Sequence, residues 1–162
     1  MAAMHPNITA VEDALRAAGV PGKILVLDEA VHTAAAAAEA VGVEVGQIAN
    51  SLVFAADYPD GRTEPVLVLT SGAHRVDTAR VAALLGAGAL RRASPEFVRE
   101  HTGQVIGGVA PVGHPAPVRT LVDTALAAYG EVWAAGGVPR AVFATSYDEL
   151  LRVTAGTPAE VA

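Results

Sequence analysis

Apolar positions along this chain switch between helical and strand periods. Val11, Ala14, Leu15 and Ala18 fall on one helical face, with Thr9 and Glu12 at capping-box spacing ahead and Gly19 behind. That pattern predicts a helix over about residues 10–18. Ile24 to Leu27, after Pro21-Gly22, is a short apolar run that predicts a strand. Thr33 caps an alanine-rich helix from Ala34 to about Ala40, ended by Gly42; alanine is the strongest helix former. Ile48 to Ala55 predicts a buried strand, Asp57-Tyr58-Pro59-Asp60-Gly61 a turn, and Pro65 to Thr70 the returning strand of a hairpin. Asp77 to Leu85 is a helix with Val81, Leu84 and Leu85 inward and Gly86 as its stop. Leu90 to Arg92 is a short strand. Ser94-Pro95-Glu96 combines a capping serine, a first-turn proline and an acid, so a helix starts there and runs to Gly103.

Gln104 to Gly113 has no period, and strands are predicted at Val118–Val122, Val132–Ala134 and Ala141–Ala144. Ser146 with Glu149 opens a last helix through Val153. Helices and strands are interleaved, yet one connection is a hairpin, so the expected class is mixed α/β (α+β) rather than a doubly wound parallel sheet. There is no repeat and no linker-like stretch. The 162 residues fit a single domain over 1–162, with 1–7 expected to be flexible.

Composition narrows the chemistry. Hydrophobic residues make up 52% of the chain, enough for a core, but no apolar run approaches the ~18 residues of a membrane span. The first residues lack the basic-then-apolar order of a secretion signal, so the expected location is cytoplasmic, with no membrane partner. With no cysteine, disulfides, thiolate catalysis and cysteine zinc sites are excluded. The five histidines show no metal-ligand spacing, and neither a metal nor a cofactor is expected. No nucleophile elbow or phosphate-binding glycine motif is present. The net charge of −6 argues against a protein that grips DNA or a tRNA body, because phosphate neutralisation needs a basic surplus. A nucleic-acid partner is expected to be touched over a short segment.

One stretch invites a mechanism. In Gly107-Gly108-Val109-Ala110-Pro111-Val112-Gly113-His114, glycines allow close backbone approach and proline stiffens the turn. Such a loop can offer N–H groups to a developing oxyanion; it can equally be a plain turn between strands.

The order of segments resembles the YbaK/EbsC family, the free-standing relatives of the editing domain in bacterial prolyl-tRNA synthetases. The resemblance rests on His32-Thr33 before the alanine helix, and on Val45 through Phe54 with its Ile48-Ala49-Asn50-Ser51-Leu52 centre. It continues through Val66 to Gly72, Arg75-Val76-Asp77, Arg92 to Glu96 and Thr102-Gly103. Gly107 to Pro111, Val122-Asp123 and Asp148-Glu149-Leu150 complete it, over about residues 8 to 160. Each piece is weak alone; their shared order is specific. The resemblance implies a mostly antiparallel, curled, barrel-like sheet flanked by helices. It also implies hydrolysis of the ester of a misacylated tRNA, with the Gly107–Pro111 loop lining the aminoacyl pocket and the substrate's own ribose hydroxyl assisting a water. The implied partners are the tRNA 3′ end, proline tRNA among the substrates, and an aminoacyl-tRNA synthetase.

Asn50 stands where the family usually has lysine. An amide still donates a hydrogen bond, but charge-assisted bonds are about twice as strong. Three readings follow: Asn50 positions the substrate in an altered geometry, Arg75 or His114 supplies the missing charge, or catalysis is weakened and the pocket kept. The expected catalytic set is Asn50, Gly107 and Gly108. The expected substrate contacts are Val109, Ala110, Pro111, His114, His32, Arg75 and Asp123. The competing functions are a binding module for a small aminoacyl-like ligand or a synthetase, and a hydrolase for another ester or amide.

Overall fold

A computed structural model describes residues 5–21 and 23–162. The expected flexibility at 1–7 falls partly on residues 1–4, which lie outside the described residues. Helix α1 spans Pro6–Ala17 and so begins before the expected residue 10. Pro6 occupies its first turn and the His5 ring nitrogen accepts the Asn7 N–H at 3.0 Å. Thr9 and Glu12 therefore lie within the helix and form no cap. The overlooked signal was Pro6 itself, whose fixed φ and missing N–H suit a first turn.

Eight strands form one sheet: β1 (Ile24–Val26), β2 (Ile48–Asp57), β3 (Thr63–Ser71), β4 (Ala89–Arg92), β5 (Arg119–Asp123), β6 (Val132–Ala135), β7 (Ala141–Thr145) and β8 (Thr157–Ala159). Their order is β1-β7-β6-β2-β3-β5-β8, with β4 also on β2. Four of the seven pairings are antiparallel, led by the β2–β3 hairpin from Ala49↔Ser71 to Asp57↔Thr63. The sheet is mixed and flanked by helices, as the sequence predicts. It stays open, with β1 and β8 at its ends, rather than closing as a barrel. The last strand, β8, escapes the hydrophobic pattern because it is three residues long and contains Pro158, a residue suited only to an edge.

The remaining helices are α2 (Ala34–Val41), α3 (Thr78–Leu85), α4 (Pro95–Thr102) and α5 (Tyr147–Thr154). Alternation along β2 sorts the packing by face. Ala49 and Val53 pack with Val11 and Leu15 of α1, Val98 of α4 and Leu150 of α5. Phe54 and Ala56 pack with Val81 and Leu85 of α3, and Ile48 packs with Ala37 and Ala38 of α2. Leu15, Leu67, Leu69, Leu126 and Leu150 are fully buried, each stabilising the fold by roughly 1.5–3 kcal/mol relative to exposure. Asn50 and Leu52 share the face of Ile48 and Phe54, in the interval between the parts covered by α2 and α3.

Candidate active site

The outer edge of β2 is shared by two strands that do not meet. β6 pairs only with Ile48 and Ala49, and β4 only with Phe54 to Asp57. Between them, residues 50–53 have β3 on one side and no strand on the other. Two loops converge on this opening. The segment before α2 brings His32 and Thr33, the latter fixed by accepting the Ala36 N–H at 3.1 Å. The segment after α4 brings Gly107 and Val109.

That second segment is built on a buried amide. Gln104, 1% exposed, accepts the Ala110 N–H through Oε1 at 2.7 Å and donates from Nε2 to the Val112 carbonyl at 3.3 Å. Thr102 anchors Gln104 in turn, its hydroxyl donating to the Val98 carbonyl at 2.7 Å and accepting the Gln104 N–H at 3.1 Å. Gly107 has φ +92°, a conformation that glycine adopts without strain, and a Cβ there would stand 3.0 Å from His32 Nδ1. A Cβ on Gly108 would lie 2.6 Å from the Val138 carbonyl carbon and 2.7 Å from Pro139 N. The two glycines thus have different duties: Gly107 faces the opening beside His32, and Gly108 lets the loop seat against the β6–β7 turn.

Two chambers meet at the opening, sharing Asn50, Ser51, His32, Gly107 and Val109. The smaller, about 40 Å³, is walled mainly by apolar groups, among them Ala37, Ile48, Trp133, Pro139 and Val142. The larger, about 590 Å³, has Arg75, Val76, Thr78, Arg92, Val98 and Ile106 in its lining and no acidic residue. Among the described residues, the Asn50 amide makes no intramolecular hydrogen bond, and the buried hydroxyls of Ser51 and of Thr70, the partner of Asn50 across the hairpin, have none either. Native proteins leave few buried polar groups unsatisfied; of these three residues, Asn50 and Ser51 line both chambers and Thr70 lines neither.

Other expected contacts lie elsewhere or are already engaged. The Gly108 N–H donates to the Val105 carbonyl at 3.0 Å and that of Ala110 to Gln104, so neither is free for an oxyanion. Ala110 and Pro111 are buried and line neither chamber. His114 is also outside, bonded through Nε2 to the Ala110 carbonyl at 2.8 Å. Burial pulls its pKa below the ordinary 6.5, outweighing the carbonyl bond that favours the cation. A cation at His114 in place of the family lysine is therefore disfavoured. Asp123, 1% exposed, accepts the Ser71 N–H at 3.0 Å, the Ala125 N–H at 2.9 Å and the His74 ring at 2.9 Å. It ties the end of β5 to the end of β3 and contacts neither chamber. Arg75, His32, Asn50, Gly107 and Val109 do come together. Sequence reasoning missed Gln104, the only side-chain amide in the irregular loop, and Arg92, which was not among the expected site residues.

Among the described residues, no cluster of histidine and carboxylate side chains is arranged to hold a metal ion, and no helix is long and apolar enough to cross a membrane.

Residues 28–153, which include both converging loops and all of β2, match the model of the aminoacyl-tRNA editing domain. The chain belongs to that family. It is 37% identical over 92 residues to a proline–tRNA ligase of Limosilactobacillus fermentum, covering 57% of this chain and 16% of that one. It thus spans about a sixth of the length of the ligases it matches. An uncharacterized protein, YwhH, of Bacillus subtilis is 33% identical over 101 residues, 62% of this chain and 61% of that one. A crystal structure described as a candidate trans-editing enzyme for prolyl tRNA synthetase superposes with a TM-score of 0.87 at 44% identity, covering 98% of both chains. The crystal structure of the hypothetical protein APE2540 gives 0.83 at 29% identity, over 94% of this chain and 98% of that one.

Proposed function

We propose that this protein hydrolyses the ester between a mischarged amino acid and the 3′ end of a tRNA, acting in trans on a substrate that a synthetase has released. The observation that carries this reading is the meeting of a small apolar chamber and a wide acid-free one at Gly107, Val109 and the Asn50 amide, which has no hydrogen-bond partner among the described residues. The amino-acid side chain enters the small chamber, the terminal adenosine lies in the wide one, and the ester sits between them at Asn50 and Gly107.

With no nucleophile–base pair at the junction, a water attacks the ester carbonyl directly, assisted by the neighbouring ribose hydroxyl. The protein's share is electrostatic. The Asn50 amide and the backbone of Gly107 and Val109 stabilise the charge that develops on the carbonyl oxygen. Removing one such donor typically costs about 10²–10³ in rate. The small chamber favours a side chain of alanine size, and one surplus methylene against such a wall costs about 1–3 kcal/mol. Proline tRNA carrying a small wrong amino acid is the favoured substrate, met in the cytoplasm beside the prolyl enzyme.

The test is a panel of labelled misacylated tRNAs incubated with purified protein. Alanyl-tRNA is expected to lose its ester fastest, with longer and charged side chains spared. No hydrolysis of any member by folded protein rejects the proposal. It favours instead a binding module for an aminoacyl-like ligand, a reading motivated by the uncharged Asn50.

A further inference from the structure

Ten of the eleven basic residues are arginine, and most have an assignable partner or are absent from the chamber linings. Arg16, Arg62, Arg80 and Arg91 each pair with a carboxylate, and Arg140 donates to the carbonyls of Leu27 and Asp28. Arg75 and Arg92 do neither among the described residues, and both line the wide chamber. Their surroundings are selective: a chain with 17 acidic residues and a net charge of −6 places none of them in that lining.

The register explains how Arg92 gets there. Arg91 pairs with Ala55 and Arg92 with Phe54, so the two arginines point to opposite faces of the sheet. Arg91 is spent on Asp57, at 2.7 Å and 3.1 Å. Arg92 instead shares the face of Phe54, Leu52 and Asn50, at the point where β4 ends and the open edge of β2 begins. Arg75, just ahead of α3, lines the same chamber.

We propose that Arg75 and Arg92 form a clamp for the phosphodiester backbone of a single-stranded RNA 3′ end, supplying the positive charge that Asn50 lacks. The proposal rests on the editing reading for the identity of the strand. Guanidinium groups suit this task because their planar fork matches two phosphate oxygens and stays charged at every relevant pH. In a chain whose net charge repels nucleic acid, two local cations in an acid-free recess confine the attraction to the segment that must enter.

The experiment measures binding of a fluorescent single-stranded RNA ending in CCA as a function of salt, by anisotropy. Arg75→Gln and Arg92→Gln are each expected to weaken binding about five- to tenfold and to reduce the salt slope by about 0.7. Arg99→Gln, an exposed arginine away from the chamber, is expected to change neither. Wild-type binding too weak to measure overturns the clamp, as do unchanged slopes in the two variants or an equal effect of Arg99→Gln. Equal displacement by AMP overturns the strand-backbone assignment.

A second arm compares misacylated tRNA with an aminoacyl-adenosine that lacks phosphate. The Arg75→Gln/Arg92→Gln double variant is expected to raise KM on the tRNA by a larger factor than KM on the phosphate-free ester; equal loss on both substrates overturns the clamp. Arginine-dependent RNA binding without hydrolysis of any ester rejects the editing reading alone. Intact hydrolysis with arginine-independent binding rejects the clamp alone.

Discussion

The two ends of β2 obey opposite rules. From Phe54 to Asp57 the strand is paired on both edges, and its tip is laced by Asp57 with Arg91 and Thr63, and by Asp60 and Glu64 with Arg62. From Asn50 to Val53 one edge is bare, an amide is uncommitted and a buried hydroxyl has no partner. One end satisfies its polar groups; the other leaves them waiting. Local rules broken in an otherwise consistent fold are where function is expected to lie. The contrast also makes the two ends separable, because a substitution at the bare end should alter chemistry and one at the paired tip should not.

The largest effect is expected from Gly108→Val, which drives a side chain into the Val138–Pro139 backbone and unseats the loop. Deacylation should fall beyond detection, and the melting midpoint should drop with it; wild-type rates would show that the loop need not touch that turn. Asn50→Ala comes next, with about a hundredfold loss in kcat and little change in melting, since the amide holds nothing within the chain. The companion Asn50→Lys should raise the rate if charge is what the junction lacks, and a slower enzyme would identify asparagine as the fitted group. Gln104→Ala strands the Ala110 N–H and the Val112 carbonyl and should cost about 2–4 kcal/mol in a denaturant titration, with about a tenfold slower rate. A rate loss with no loss of stability would contradict its role as the loop's internal brace.

Acid is a milder probe. His114 has a folded pKa below its ordinary 6.5, so the unfolded chain takes up the proton more readily. Its contribution to stability is complete above about pH 6.5 and is lost as pH falls through that value toward the lower folded one. Melting midpoints from pH 7 to 5 should decline less in His114→Gln than in the wild type. At the other end of β2, Asp57→Asn is the smallest perturbation. It releases a carboxylate held low mainly by Arg91 and partly open to solvent, and should leave both rate and melting nearly unchanged. A large loss of activity there would erase the distinction between the two ends.

Much of this organisation was legible in the residues. The hairpin, the capping serines and threonines and the glycine stops of α2, α3 and α4 are local signals, and local signals survive folding. The start of α1 was misplaced because a histidine cap is unusual, and β8 was lost because three residues with a proline carry no period. Of the expected site residues, His32, Asn50, Arg75, Gly107 and Val109 line the opening, all of them carried by the shared order of segments rather than by any local pattern. Asp123 and His114 were drawn in by sitting beside motif residues, but their polar atoms turn to backbone groups that no sequence pattern reveals. Arg92 was missed for the converse reason: only the register of β4 on β2 distinguishes it from Arg91.

The strands β6, β7 and β1 form a wing joined to the rest of the sheet by two residue pairs, Ile48↔Trp133 and Ala49↔Ala134. That same wing carries Trp133, Pro139 and Val142, which wall the smaller chamber. Under the proposed hydrolysis, substitutions at these three positions should change which side chain is accepted before they change how fast the ester is cleaved, giving selection a way to retune discrimination without disturbing Asn50 and Gly107.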